Sequence, residues 1–153
     1  MLKKNYIDRA IVGVIEGFTN AETQVLEANG LDAILELLTN LRSITFPLVI
    51  LEDRSSGIIQ MIEGPLDTFT QSIWVMGQFG RGESEAAVYD ETRNLAVLIL
   101  SRFRQMAVNG EPALQGWDWS RTQYLKRYGG PNARGWELVL TFKENISLLM
   151  PGE

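Results

Sequence analysis

The stretch YGGPNARGWELVLTF, residues 128–142, decides how the rest of the chain is read. Trp136, Leu138, Leu140 and Phe142 alternate with Glu137, Val139, Thr141 and Lys143. A period of two is that of a half-buried β-strand, because successive side chains point to opposite faces of a sheet. Gly129, Gly130, Pro131 and Asn132 just before it are residues that reverse a chain, so residues 117–128 are expected to form the other arm of a hairpin.

Working outward, the residues from 84 to 109 predict the longest helix, closed by Asn109-Gly110 with Pro112 following. Its segment LAVLIL, residues 95–100, is apolar all round. A helix covered by a sheet on one side alone does not need this, so a second covering surface is expected, from the amino-terminal helices or from another subunit. Residues 67–79 read as a strand with Phe69, Ile73 and Val75 in alternation, while Trp74 and Met76 make its second half apolar on both faces. Residues 46–52, FPLVILE, predict a strand, DRSSG a turn, and residues 57–63 a return strand. Near the start, Ile7, Ala10, Ile11, Val14, Ile15 and Phe18 recur at helical spacing over residues 4–17. Leu31, Ile34, Leu35, Leu38 and Leu41 do the same in LDAILELLTNLRS. The order of helix, helix, three strands, long helix and two strands implies an α+β fold. We expect a mostly antiparallel sheet of about five strands with helices on one face, a two-layer sandwich in one domain spanning 1–153.

Composition excludes much chemistry. The chain has no cysteine and no histidine, which removes thiolate nucleophiles, zinc fingers, the usual general base near neutral pH and every Ser-His or Cys-His pair. Glu52, Asp53 and Glu63 are the only acid–base or metal candidates, with Ser55 and Ser56 nearby. Neighbours on a strand point apart, and neither a calcium-loop spacing nor G-x-S-x-G is present. The glycines of GQFGRGE, Gly77, Gly80 and Gly82, match neither the dinucleotide fingerprint nor the GK[ST] loop, and Glu83 and Glu85 put negative charge where a phosphate would dock. This segment reads as a connecting loop. No cofactor, no metal and no enzymatic activity are expected. The longest apolar runs fall far short of a membrane span and nothing resembles a leader peptide, so a cytosolic chain without a membrane partner is expected.

Charge is unevenly spread. Between residues 116 and 143 Arg121, Lys126, Arg127, Arg134 and Lys143 face only Asp118 and Glu137, a local charge of +3 that leaves −8 for the remainder of a chain of net charge −5. The bland reading is charge on the solvent face of a hairpin; the functional one is steering of an acidic partner. The mixture of aromatic and basic residues in GWDWSRTQYLKRYGG could stack bases, but no continuous basic groove is evident and the overall charge opposes it, so no specific nucleic-acid partner is expected. Core packing is favoured for Trp136. For Trp117 and Trp119, core packing and a protein interface compete, since Trp and Arg are typical interface anchors.

In its element order the chain resembles small bacteriophage neck and tail proteins of the tail-completion or tail-terminator type. The resemblance is carried by the amino-terminal helical stretch leading into FPLVILE, by FTQSIWVMGQF, by ETRNLAVLILSRFRQM and by the closing GWELVLTFKENI, which together span most of the chain. It implies a structural virion or prophage protein, a tail-completion, tail-terminator or head–tail joining component acting by ring-like self-association and contacts with other neck or tail proteins. Its place would be the virion, or the host cytoplasm before assembly. The interface residues expected are Leu98 and Leu100 on the long helix, Trp117 and Trp119 as apolar anchors, and Arg121, Lys126, Arg127 and Arg134 as the selectors of an acidic neighbour. The alternative is a small-ligand or regulatory binding module without catalysis.

Overall fold

The computed structural model describes residues 1–61 and 64–146. The alternating segment forms a strand longer than expected, β5, Ala133–Asn145. It pairs antiparallel along its whole length with β3, Leu66–Gln78, from Leu66 opposite Asn145 to Gln78 opposite Ala133. On the far side of β3 lies β2, Leu48–Gln60, also antiparallel. β4, Gln123–Tyr128, flanks β5, and the three-residue β1, Val25–Glu27, runs parallel to β2. The sheet order is β1-β2-β3-β5-β4, an α+β sheet of five strands, mostly antiparallel.

Two helices cover one face. α4, Glu85–Val108, turns Val88, Thr92, Ala96, Ile99, Phe103 and Met106 inward at the i, i+3, i+4 spacing that puts side chains on one stripe. Ser84 caps it by accepting the Ala87 N–H (3.1 Å), and Gly110 ends it with a positive φ of 87°. α1, Lys4–Ile11, buries Tyr6, Ile7, Ala10 and Ile11 beside it. Together they close a core with Val49, Leu51, Phe69, Ile73, Val75, Leu138, Leu140 and Phe142. Phe69 and Phe142 stack at 5.3 Å between centroids across β3 and β5.

The expectation of helices on one face holds for α1 and α4 and is refined by α3, Leu31–Thr39. Its Ile34 and Leu38 pack with Ile44 on Leu48, Ile50, Trp74 and Met76, whose neighbours in sequence point into the main core. α3 therefore lies on the opposite face, at one end of the sheet. This is why the second half of β3 is apolar on both sides. A short helix, α2, Ala21–Gln24, leads into β1, and the fully buried Gln24 ties the loops together by accepting from the Thr19 and Asn20 N–H groups and donating to the Gly17 and Pro47 carbonyls.

Two further expectations are corrected. DRSSG is not a turn: β2 runs through it, with irregular register between Leu51 and Arg54 and between Arg54 and Ser56. Gly57 is there for close packing, since a Cβ would sit 3.0 Å from the Thr68 carbonyl oxygen and 3.1 Å from Phe69 Cβ. Ser55 and Ser56 hydrogen-bond across to Thr70, and the chain reverses after Gln60 instead. Likewise the strand expected over 117–128 begins only at Gln123. Before it come a 3-10 turn, Pro112–Leu114, and a loop in which Gly116 accepts the Lys143 N–H and the Asp118 N–H reaches the Thr141 carbonyl. That loop closes the outer edge of β5 beyond β4.

Candidate functional site

The acidic candidates do not converge. Glu52 accepts the Trp74 indole N–H (2.7 Å) and the Gly30 N–H (3.3 Å), whereas the Asp53 carboxylate lies at the sheet edge and takes the Asn29 amide (3.4 Å). Glu63 lies outside the described residues. Among the described residues no group of three or more acidic side chains is placed to hold a metal ion. The Gly-rich loop is likewise occupied by its own side chains. Glu83 accepts the Arg81 N–H (3.2 Å), an interaction that lowers its pKa, and Gly77 is packed against α4, where a Cβ would meet Thr92 Cγ2 at 2.8 Å.

A buried polar network that the sequence reading missed sits on the face opposite α4. Glu137 accepts Ser72 Oγ (2.6 Å) through one carboxylate oxygen and Arg127 Nε and Nη2 (2.8 and 2.6 Å) through the other. Alternation alone placed Glu137 towards solvent; the available signal was Arg127 across the hairpin, two strand positions from facing it. Here the carboxylate has protein donors on both oxygens, so the network joins β3, β5 and β4 rather than offering a reactive group.

The expected interface residues separate into two sets. Trp117, only 6% exposed, packs edge-on against Phe103, and Arg134, 4% exposed, lies between the rings of Phe79 and Tyr128 with Nε on Glu85 (3.0 Å). Both face inward: the loop after the 3-10 turn carries Trp117 to an isolated bridge with Phe142, and Arg134, the second residue of β5, lies beneath the start of α4. Arg127 is half-buried and paired with Glu137. The exposed set is Trp119, with Arg104 over its ring at 4.4 Å, Arg121, Lys126 above the Tyr89 ring at 4.2 Å, and Leu98. Leu100 is half-buried against the core.

The structure adds Val97, Tyr124 and Tyr128 to this exposed set. Val97 and Leu98 are 48% and 56% exposed at the middle of α4. On one side Val97 and Leu100 meet Tyr124 and Trp136 around a cleft of about 40 Å³, room for very little besides water. On the other, Leu98 borders a broad open groove of about 850 Å³ with Glu16, Phe46, Pro47, Glu91 and Leu95. The apolar run in α4 is thus covered by the sheet on one side and by α1 in part, and its outward residues stay in water. Tyr89, whose ring carries Lys126, has its phenol pKa raised by burial.

No protein-family model matches the chain, and no curated protein sequence matches it. No helix among the described residues is long and apolar enough to cross a membrane.

Proposed function

We propose that this protein is a structural assembly subunit that acts by self-association, in the manner of the phage neck and tail proteins it resembles. It serves as a tail-completion, tail-terminator or head–tail joining component in a virion or prophage particle, reaching that place from the host cytoplasm. The observation that carries this reading is the exposure of Val97 and Leu98 at the centre of α4, Val97 continuous with Tyr124 on β4 and Leu98 on the open groove at the other side of the helix. Burying a Val or Leu side chain is worth roughly 1.5–3 kcal/mol, and an aromatic beside it supplies the anchor on which interfaces concentrate their energy. Lys126, over the Tyr89 ring, borders the same side and meets the acidic remainder of a second copy, while Arg121 lines a cleft with Thr70, Val139 and Thr141 on the other face of the sheet.

Size-exclusion chromatography with light scattering, followed by electron microscopy of the purified protein, tests the reading. We expect a concentration-dependent oligomer with ring-shaped particles, and dissociation in Leu98→Asp with unchanged circular dichroism. A wild-type chain that stays monomeric at high concentration refutes it.

A further inference from the structure

Among the described residues the sheet has two uncovered edges, and they fit one another. β4 is the last strand on one side. On the other, β1 pairs only with Val49, Ile50 and Leu51, so beyond Asp53 the outer edge of β2 has no backbone partner among the described residues. Free edges are ordinarily blunted by charge, proline or irregularity. Here the register irregularities end at Ser56, and SGIIQ, residues 56–60, is straight and carries neither charge nor proline. The nearest cation, Arg54, is folded back over the Phe69 ring (4.0 Å) and onto Asp67 (2.7 Å). Ile58 and Ile59 point to opposite faces and are 69% and 59% exposed.

Strand direction also fits. β2, β3, β5 and β4 are successively antiparallel, so β4 runs opposite to β2. A second copy that sets its β4 beside this β2 continues an antiparallel sheet without being turned over. The two edges are staggered as well: β4 lies beside the first half of β5, whereas the free stretch of β2 lies, across β3, level with the second half. A head-to-tail contact of this kind closes into a ring where the rotation between copies closes, and a stagger tilts the strands as closed sheets require.

The pairing register follows from the faces. Gly57 lies opposite Phe69, so Gly57 and Ile59 belong to the α4 side, as does Tyr124, opposite Leu138. Ile58 and Leu125 belong to the other side. A register that keeps faces in phase puts Ile59 opposite residue 122, 124 or 126, and Ile58 opposite 123, 125 or 127 respectively. Only the middle choice gives both isoleucines apolar partners. Resting on the self-association reading above, we propose that residues 56–60 of β2 take β4 of a second copy as an added antiparallel strand, Ile59 opposite Tyr124 and Ile58 opposite Leu125 of that copy.

The chain's lack of cysteine makes the test direct. An Ile58→Cys/Leu125→Cys variant, oxidised at an assembling concentration, should give a ladder of disulfide-linked species ending at the oligomer size found by light scattering. Directly opposed residues bring their Cβ atoms near bonding distance. The out-of-phase Ile58→Cys/Tyr124→Cys variant should not cross-link. Ile58→Lys/Ile59→Lys should weaken association by about tenfold or more with unchanged circular dichroism, since charge on an edge opposes pairing. An oligomer that forms but yields no ladder overturns this inference and leaves the broader reading standing. A dimer linked through Ile58→Cys alone means two-fold pairing of β2 with itself and also overturns it. A strict monomer removes both.

Discussion

Replacing Gln71 with Met should loosen the attachment of the amino terminus to the sheet and cost the protein a large part of its stability. Gln71 lies on β3, fully buried on the α1 side. Its side chain accepts the Leu2 N–H (2.8 Å) and donates to the Leu2 carbonyl (2.9 Å) and the Glu52 carbonyl (3.1 Å). Met has the same reach without the amide, so packing is nearly kept while three backbone groups lose their partner. Each such group left without water costs about 1–3 kcal/mol, partly offset by the apolar gain of roughly 1 kcal/mol and by whatever water reaches Leu2. We expect a net loss of about 2–5 kcal/mol, against a total stability on the order of 5–15. Urea unfolding should show a lowered midpoint at an unchanged slope, with a melting temperature lower by roughly 4–20 °C. Gln71→Glu sharpens the test. A carboxylate there still accepts the Leu2 N–H but faces two carbonyl oxygens, so its folded pKa must rise above the unfolded value of about 4.3. The folded state then binds more protons in that window, and the variant should recover stability as pH falls through the raised pKa, which wild type does not do in this way. A Gln71→Met cost under about 1 kcal/mol, or a Gln71→Glu variant without that recovery, refutes the account of how α1 is anchored.

Two further predictions concern the core. Trp117 Nε1 is buried with no partner among the described residues, so Trp117→Phe removes an orphaned donor along with some packing; we expect a cost of about 1 kcal/mol or less by chemical denaturation, where a partnered tryptophan would cost several times more. Tyr6, whose hydroxyl donates to Met106 Sδ (3.3 Å), has its pKa raised from 10.0 to about 12, chiefly by burial and then by Glu111. Because the folded state holds that proton longer than the unfolded chain, its contribution is whole below pH 10 and is lost as pH rises towards 12; Tyr6→Phe should flatten that alkaline decline in melting temperature.

How far the sequence could be read depended on which kind of contact decided each element. Strand β5 was legible because its alternation reflects a local fact, one face against α4 and the other towards polar neighbours. α4 was legible through its periodicity and its Ser84 and Gly110 ends. β1 was not: its three residues pair parallel to β2, and nothing within so short a stretch signals a distant partner. At DRSSG, small residues suit a reversal and a close approach alike, because composition does not distinguish a glycine needed for its φ from one needed for close approach to Phe69. Trp117 is buried and Trp119 exposed because no continuous strand runs through residues 117–122. Gly116, with φ of 83° and the Lys143 carbonyl oxygen packed where a Cβ would be, interrupts any strand there and turns Trp117 into the core. Leu98 and Leu100 were picked out by the apolar run, but which of its residues faces water required the angle at which α4 meets the sheet.

The charge asymmetry of residues 116–143 now carries a different meaning. Arg127 is matched by Glu137 and Arg134 by Glu85, so two of the five cations are spent inside the fold, holding β4 and the start of α4 against β5. Lys126 reaches over Tyr89, which leaves Arg121 and Lys143 as the freer charges near that edge. Two or three exposed cations steer a partner weakly at physiological salt, where surface interactions fade within about 8 Å. On the proposal that this surface takes a second copy, selection rests mainly on geometry: which strand edge is open, which way it runs, and which apolar side chains fall opposite one another. Among the described residues, one edge of the sheet is open at its far end and the other at its near end, and it is this offset that the proposed pairing uses.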